Sequence, residues 1–223
     1  MNTHNHYQGK NKNNEYDQGR KVITADAATI LQNIKQSVYG DHNLVVYFSL
    51  EEFEEIYVES CKEALTKRNE IFLLATYYQE VAYVKKKLRM AGIDVASYER
   101  DYTLVIMDSA IAYQRYASMN DDHNYNHEDN AINTYNIIMT YNQLKRHAEK
   151  LGKSGVTICG DLGPFILNNK LDDLLSYEKS LPARAVDAKV RMICCYHKDD
   201  FAVLTEEQRE KIITFHGNSF IIA

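Results

Sequence analysis

Two stretches of the chain concentrate side chains able to bind metals or act as nucleophiles. In "DDHNYNHED", His123 and His127 have the HxxxH spacing that puts two imidazoles on one face of a helix, and Asp121, Asp122, Glu128 and Asp129 add oxygen donors. In "KVRMICCYHKDD", Cys194 and Cys195 adjoin Tyr196 and His197 inside an apolar run. The chemistry on offer is metal binding in the first and metal or redox chemistry in the second. Local structure decides between them and plain packing. The first stretch is Asn-rich and has no apolar face, so a polar loop over about 119–130 is the simpler expectation and a metal site at His123 and His127 the alternative. The second is a short apolar run of strand type, and successive side chains on a strand face opposite ways. Val190, Met192, Cys194 and Tyr196 then share one face, and Arg191, Ile193, Cys195 and His197 the other. The two cysteines cannot hold one ion from such a strand. Cys194 reads as core, while Tyr196 and His197, near the carboxyl end, are the pair placed to meet a ligand. Cys61 and Cys159 stand alone and no CxxC spacing occurs, which argues against a structural zinc site or a disulfide framework. No metal and no cofactor are expected.

The elements that must position these residues alternate along the chain. Asp26 caps a helix carrying Ile30, Leu31, Ile34 and Val38 on one face. "NLVVYFS" is a strand, and Ser49 with Glu52 forms a capping box that opens the next helix. "EIFLLAT" is a second strand, followed by a helix from about Tyr78 to Ala91 that Gly92 closes. "IDVASY" and "YTLVIMD" are read as two further strands, with a short helix near 109–118 and a long one near 131–151 after them. "GVTICGD" is a strand, an irregular helix reaches Glu178, and "AKVRMICCY" is the next strand. "LTEEQREKIITF" is a helix opened by a capping box at Thr205 and Gln208, and "SFIIA" is the last strand. Strands that are apolar on both faces and alternate with helices predict an α/β fold of three layers, a mainly parallel sheet with helices on both faces.

Composition bounds the partners. The chain's 223 residues suffice for one core, and residues 21–223 are expected to form one domain behind a disordered polar tail over 1–20. A net charge of −5 argues against nucleic acid and anionic membrane surfaces as partners. No apolar run approaches the roughly 20 residues that span a bilayer, and the first residues lack the apolar core of a secretory signal. A cytoplasmic protein is expected.

In open α/β sheets, ligands bind beyond the carboxyl ends of the strands, and the first strand-to-helix turn is the usual phosphate cradle. Here that turn is "YFSLEEFEE", with no glycine and no lysine and with Glu51, Glu52, Glu54 and Glu55. No GxxxxGK[ST] or GxGxxG occurs elsewhere. ATP hydrolysis of the phosphate-loop kind is not expected. "GVTICGD" is similar to the apolar strand ending in Asp that holds magnesium in phosphate-loop enzymes, which makes Asp161 a candidate; the alternative is an Asp that caps the turn after its strand. No strand–nucleophile–helix elbow supports nucleophilic catalysis.

The order of segments resembles the MEDS domain family, the methanogen/methylotroph, DcmR sensory domain. The likeness rests on "GDHNLVVYFSLEEF", "EIFLLAT", "KKKLRMAGIDV" and "YTLVIMDSAIAYQ" in the first half. In the second half it rests on "VTICGDLGPFI", "LLSYEKSL", "RMICCYHKDDF" and "ITFHGNSFII", so that it covers about residues 38–222. The chain departs from the family's pattern at Cys195, His197, Gly217 and the "LTKRNE" turn. The resemblance implies a degenerate RecA/KaiC-like domain that has lost its phosphate loop and senses a small organic molecule. It also draws attention to His42, Tyr47 and His216 as polar groups at a pocket rim, the alternative for each histidine being a cap on local backbone. Glu178 is a candidate for a cationic or hydroxyl group, set against a solvated pair with Lys179 or Arg184. The ligand-binding set expected is thus His42, Tyr47, Asp161, Glu178, Tyr196, His197 and His216. The expected function is a non-enzymatic sensory domain that signals through a protein partner or self-association. The alternatives are a metal-dependent enzyme using His123 and His127, and a pure interaction scaffold.

Overall fold

The structure, a computed structural model, describes residues 21–114, 137–185 and 189–223. The expected tail over 1–20, the polar loop over about 119–130, and His123 and His127 lie outside the described residues. Seven parallel strands form one sheet: β1 (Lys21–Ala25), β2 (His42–Tyr47), β3 (Ile71–Thr76), β4 (Leu104–Asp108), β5 (Val156–Asp161), β6 (Val190–His197) and β7 (Asn218–Ile222). Their order is β1-β7-β2-β6-β5-β3-β4. Residues on β2, β3 and β5 are buried throughout, as a sheet covered on both faces requires.

One face is covered by α1 (Ala27–Gln36), α2 (Leu50–Lys62, extended by a wider turn over Glu63–Lys67), α3 (Val81–Met90) and α4 (Val95–Arg100). The other is covered by α5 (Ser109–Gln114), α6 (Ile137–Leu151), α7 (Gly163–Leu167), α8 (Leu171–Ala185), α9 (Lys198–Val203) and α10 (Glu206–Phe215). The three-layer α/β fold expected from the sequence holds. β6 shows the alternation at work: Val190, Met192, Cys194 and Tyr196 enter the core beneath α6–α10, while Ile193 and Cys195 enter the core beneath α1–α4. Cys195 meets Cys159 there, sulfur to sulfur at 3.8 Å.

Local signals account for most boundaries. Asp26, Ser49 and Thr205 cap α1, α2 and α10 through their side-chain oxygens, and Gly92 follows α3 with a φ of 87°, which favours glycine. Two expectations fail, and two elements were not anticipated. "IDVASY" is not a strand: Asp94 accepts from Ser97 N and opens α4, of which only Val95 is buried. Six residues with one buried position do not distinguish a period of 2 from a period of 3.6. The helix expected to end at Glu178 runs on to Ala185, through Pro182. Lys21–Ala25, read only as the start of the domain, pairs in parallel with β7 as the edge strand, and short α9 was not anticipated either.

Candidate functional site

The residues singled out in the sequence fall into two groups on opposite faces of the sheet. Tyr47, Asp161 and His197 end β2, β5 and β6, and so meet at the carboxyl edge. His42, Glu178, Tyr196 and His216 meet inside the core between the sheet and α8 and α10. His42 and Tyr47 both lie on β2, yet five residues at about 3.3 Å each put their backbones about 16 Å apart. An odd separation also turns the two side chains to opposite faces.

At the carboxyl edge, Asp161 is fully buried. Its carboxyl accepts from the Tyr47 hydroxyl at 3.0 Å and from Gly163 N at 3.0 Å. The second of these is the turn cap named as the alternative for this residue. Burial pushes its pKa up to about 7 against those hydrogen bonds, with Asp200 adding to the rise. Asp200, at the start of α9, is nearly buried and accepts from the Tyr78 hydroxyl at 2.8 and 2.9 Å. Its pKa is also raised, mainly by burial. The two carboxyls flank Gly163: a Cβ there would stand 3.0 Å from Asp200 Oδ2 and 3.3 Å from Asp161 Oδ1. His197 packs its ring against Tyr47 at 5.4 Å and Tyr78 at 5.5 Å between centroids. Tyr78 is 38% exposed while Tyr47 is fully buried, so the group reaches solvent at Tyr78. Among the described residues no Lys or Arg pairs with either carboxylate. Sequence reasoning missed Tyr78 and Asp200; one sits in the bend after β3 and the other in the first turn of α9, and they meet 122 positions apart in the chain.

The turn after β2 shows what replaces a phosphate cradle. Glu52 folds back and accepts from Phe48 N at 2.7 Å and Ser49 N at 3.0 Å, while Ser49 Oγ accepts from Glu52 N. Amides that would otherwise face an anion already bind one that belongs to the chain.

The second group is closed off from solvent. His42 Nε2 stands 3.0 Å from Glu178 Oε2 and 3.1 Å from Cys194 Sγ. His216 Nε2 lies 3.4 Å from the same carboxylate oxygen, and the two imidazoles pack with centroids 3.8 Å apart, tilted by 34°. Cys194 Sγ is 3.6 Å from Glu178 Oε2, and the Tyr196 hydroxyl donates to Glu178 Oε1. Both histidines are anchored from behind, His42 Nδ1 on Phe215 O at 3.0 Å and His216 Nδ1 on Ile212 O at 2.7 Å. Burial, with His42 beside it, pushes the His216 pKa down to about 3 and keeps the ring neutral. Burial works against the Glu178 carboxylate, yet His216, His42 and the Tyr196 hydroxyl outweigh it and hold its pKa below the ordinary value. Burial, then Glu178, pushes the Cys194 thiol well up.

Several expectations are corrected here. Glu178 is no solvated partner of Lys179 or Arg184; it is wholly buried, because α8 continues past it and turns it onto β2 and β6. His42 and His216 are not at a rim: both are at most 3% exposed. Tyr196 and His197 do not form a pair, since adjacent strand residues serve opposite faces. Cys194 is buried as expected, but against polar groups rather than in a purely apolar core.

This is an α/β domain with a fully parallel sheet, an acidic and aromatic carboxyl edge in place of a phosphate loop, and a polar cluster sealed inside one helical layer. The family model of the MEthanogen/methylotroph, DcmR Sensory domain, MEDS, matches residues 41–210, and the chain belongs to that family. A sensory or signalling role follows from that membership. Among solved structures, a KaiC-like protein from the hyperthermophilic archaeon Pyrococcus horikoshii OT3 matches with a TM-score of 0.49 and 11% identity, covering 78% of this chain and 70% of that one. No curated protein matches the chain. No helix among the described residues is long and apolar enough to cross a membrane.

Proposed function

We propose that the chain is a sensory domain that binds a small organic ammonium ion at the carboxyl edge of its sheet. It does not hydrolyse nucleotide, and it passes its occupancy to a protein partner or a second copy. One observation carries this reading: Asp161 and Asp200 flank one glycine under the rings of Tyr47, Tyr78 and His197, and no Lys or Arg side chain neutralises them among the described residues. Aromatic faces and desolvated carboxylates together favour an organic cation over a hydrated metal ion. A bound cation also offsets the burial that raises both carboxyl groups. The Glu52 carboxylate on the amides of the first turn supports the absence of nucleotide chemistry.

The test is thermal unfolding of the full chain with methylammonium, dimethylammonium or tetramethylammonium chloride, against sodium chloride at equal ionic strength. A ligand of the native state raises the midpoint by mass action. A saturable rise with at least one of the three is expected, and its loss in Asp161→Asn, Asp200→Asn and Gly163→Ala. Gly163→Ala presses a methyl against both carboxyls and the Tyr77 ring without removing a charge. No rise beyond the sodium chloride control would overturn the reading, as would a rise with magnesium chloride alone.

A further inference from the structure

The sealed cluster behind β2 turns several ligand-type atoms toward one point. A backbone carbonyl can only accept, so each histidine Nδ1 that contacts one carries the hydrogen. The other nitrogen of each ring, Nε2, is left to face the cluster. Both Nε2 atoms point at Glu178 Oε2, at 3.0 and 3.4 Å, and His216 Nε2 has no hydrogen-bond partner. The Tyr196 hydroxyl is committed to the other carboxylate oxygen. Cys194 Sγ stands 3.1 Å from His42 Nε2 and 3.6 Å from Glu178 Oε2. Two imidazole nitrogens, a carboxylate oxygen and a sulfur thus converge on one point inside a core, the set of donors that a bound cation would satisfy.

The distances fit such a cation. One ligand atom from each of His42, Glu178, Cys194 and His216 lies within 4.8 Å of every other, and all four residues are buried. Zinc bonds of about 2.0–2.1 Å to nitrogen or oxygen and about 2.3 Å to thiolate set tetrahedral edges of about 3.3–3.7 Å. Of the observed separations, 3.4 and 3.6 Å fall within those edges and 3.0 and 3.1 Å lie just short of them. The carbonyl behind each imidazole is the outer contact that metal-ligating histidines make, fixing tautomer and ring plane.

We infer that His42 Nε2, His216 Nε2, Glu178 Oε2 and Cys194 Sγ hold one divalent transition-metal ion of the zinc class in a closed tetrahedral site. On binding, the Cys194 thiol releases its proton to solvent; thiolate and carboxylate then balance the ion's two charges. With four protein ligands and no opening to solvent, the ion is structural. It ties β2, β6, α8 and the end of α10 together, on the face opposite Tyr47 and His197. The site is separate from the ammonium site, and neither stands or falls with the other.

The full chain, stripped with chelator and dialysed, is titrated with zinc and, separately, with cobalt as a coloured substitute. Zinc is expected to bind one ion per chain and to raise the unfolding midpoint. Cobalt is expected to give the visible bands of a tetrahedral site and a near-ultraviolet thiolate-to-metal band. Cys194→Ser should abolish the thiolate band and His216→Ala should weaken zinc binding at least tenfold. Cys195→Ser and the double variant His123→Ala with His127→Ala should leave both readouts unchanged. Because the cobalt spectrum is read on the wild type, misfolding of a variant does not blunt the test. Absence of a thiolate band in the wild type, its persistence in Cys194→Ser, or loss of the ion in the His123 and His127 variant would each overturn the site.

Discussion

Asp161 shows how one buried carboxyl converts its surroundings into a pH response. Its ordinary pKa is 3.8 and burial lifts it to about 7. Between those values the folded chain keeps a proton that the unfolded chain has released. The stabilisation is therefore fully present below the unfolded value and is lost as pH rises through about 7. The loss amounts to at most about 1.4 kcal/mol per pH unit across the window. Asp161→Asn keeps an acceptor for Gly163 N, turns an amide donor toward the Tyr47 hydroxyl and removes the charge, so it should flatten this slope. Urea unfolding at about pH 5 and about pH 8 checks it. The wild type should lose more stability between the two than the variant does, and parallel losses would show that Asp161 is not shifted. The same residue was legible as a candidate because a strand ending in Asp is visible in "GVTICGD". Its partners were not legible: Tyr47 is 114 positions away, and Asp200 and Tyr78 come from other turns.

Elements are joined on the opposite side of β6 by a buried ion pair. Arg191 donates to Glu70 Oε2 at 2.8 Å, Thr157 Oγ1 at 2.7 Å and Ser37 Oγ at 3.0 Å. It thereby links β6 to the residue before β3, to β5 and to the residue after α1. Both charges are at most 2% exposed; without Arg191, Glu70 keeps only the partly exposed Arg68, 3.9 Å from Oε1, and losing a buried partner costs about 3–5 kcal/mol. Arg191→Met should lower the unfolding free energy measured in urea by up to about that amount. The double variant Arg191→Met with Glu70→Leu should recover a large part of it, since no stranded charge remains. Equal losses for the single and double variants would mean that Arg191 acts only by packing. Local pattern found β6 and assigned its faces correctly, and it found the capped helices. It failed at "IDVASY", where a cap from Asp94 outweighs β-branched side chains. It also failed at β1, whose pairing exists only because β7, at the far end of the chain, lies beside it.

For the whole molecule, the absence of nucleotide turnover is an expectation about an edge rather than a residue. The purified full chain is expected to release no phosphate from ATP or GTP above a Glu52→Ala control; Glu52→Ala frees the first-turn amides but supplies neither glycines nor lysine. Activity that tracks the protein through every purification step would overturn the sensory reading in favour of an enzyme. Family membership supports the sensory class, and the two polar groups lie on opposite faces of one sheet.

The sequence by itself determined the layers, the strand faces and the loss of the phosphate cradle, because each of these is written in periodicities and in side chains a few positions apart. It also named seven polar residues. Only the tertiary structure decided that they belong to two groups, that Glu178 is buried, and that Cys194 joins His42 and His216. The residues from His42 to His216 span 175 positions of chain, and in a parallel sheet the neighbours of each strand are set by crossovers through whole helices. Distances between such residues are a property of the packed fold and leave no trace in any short stretch.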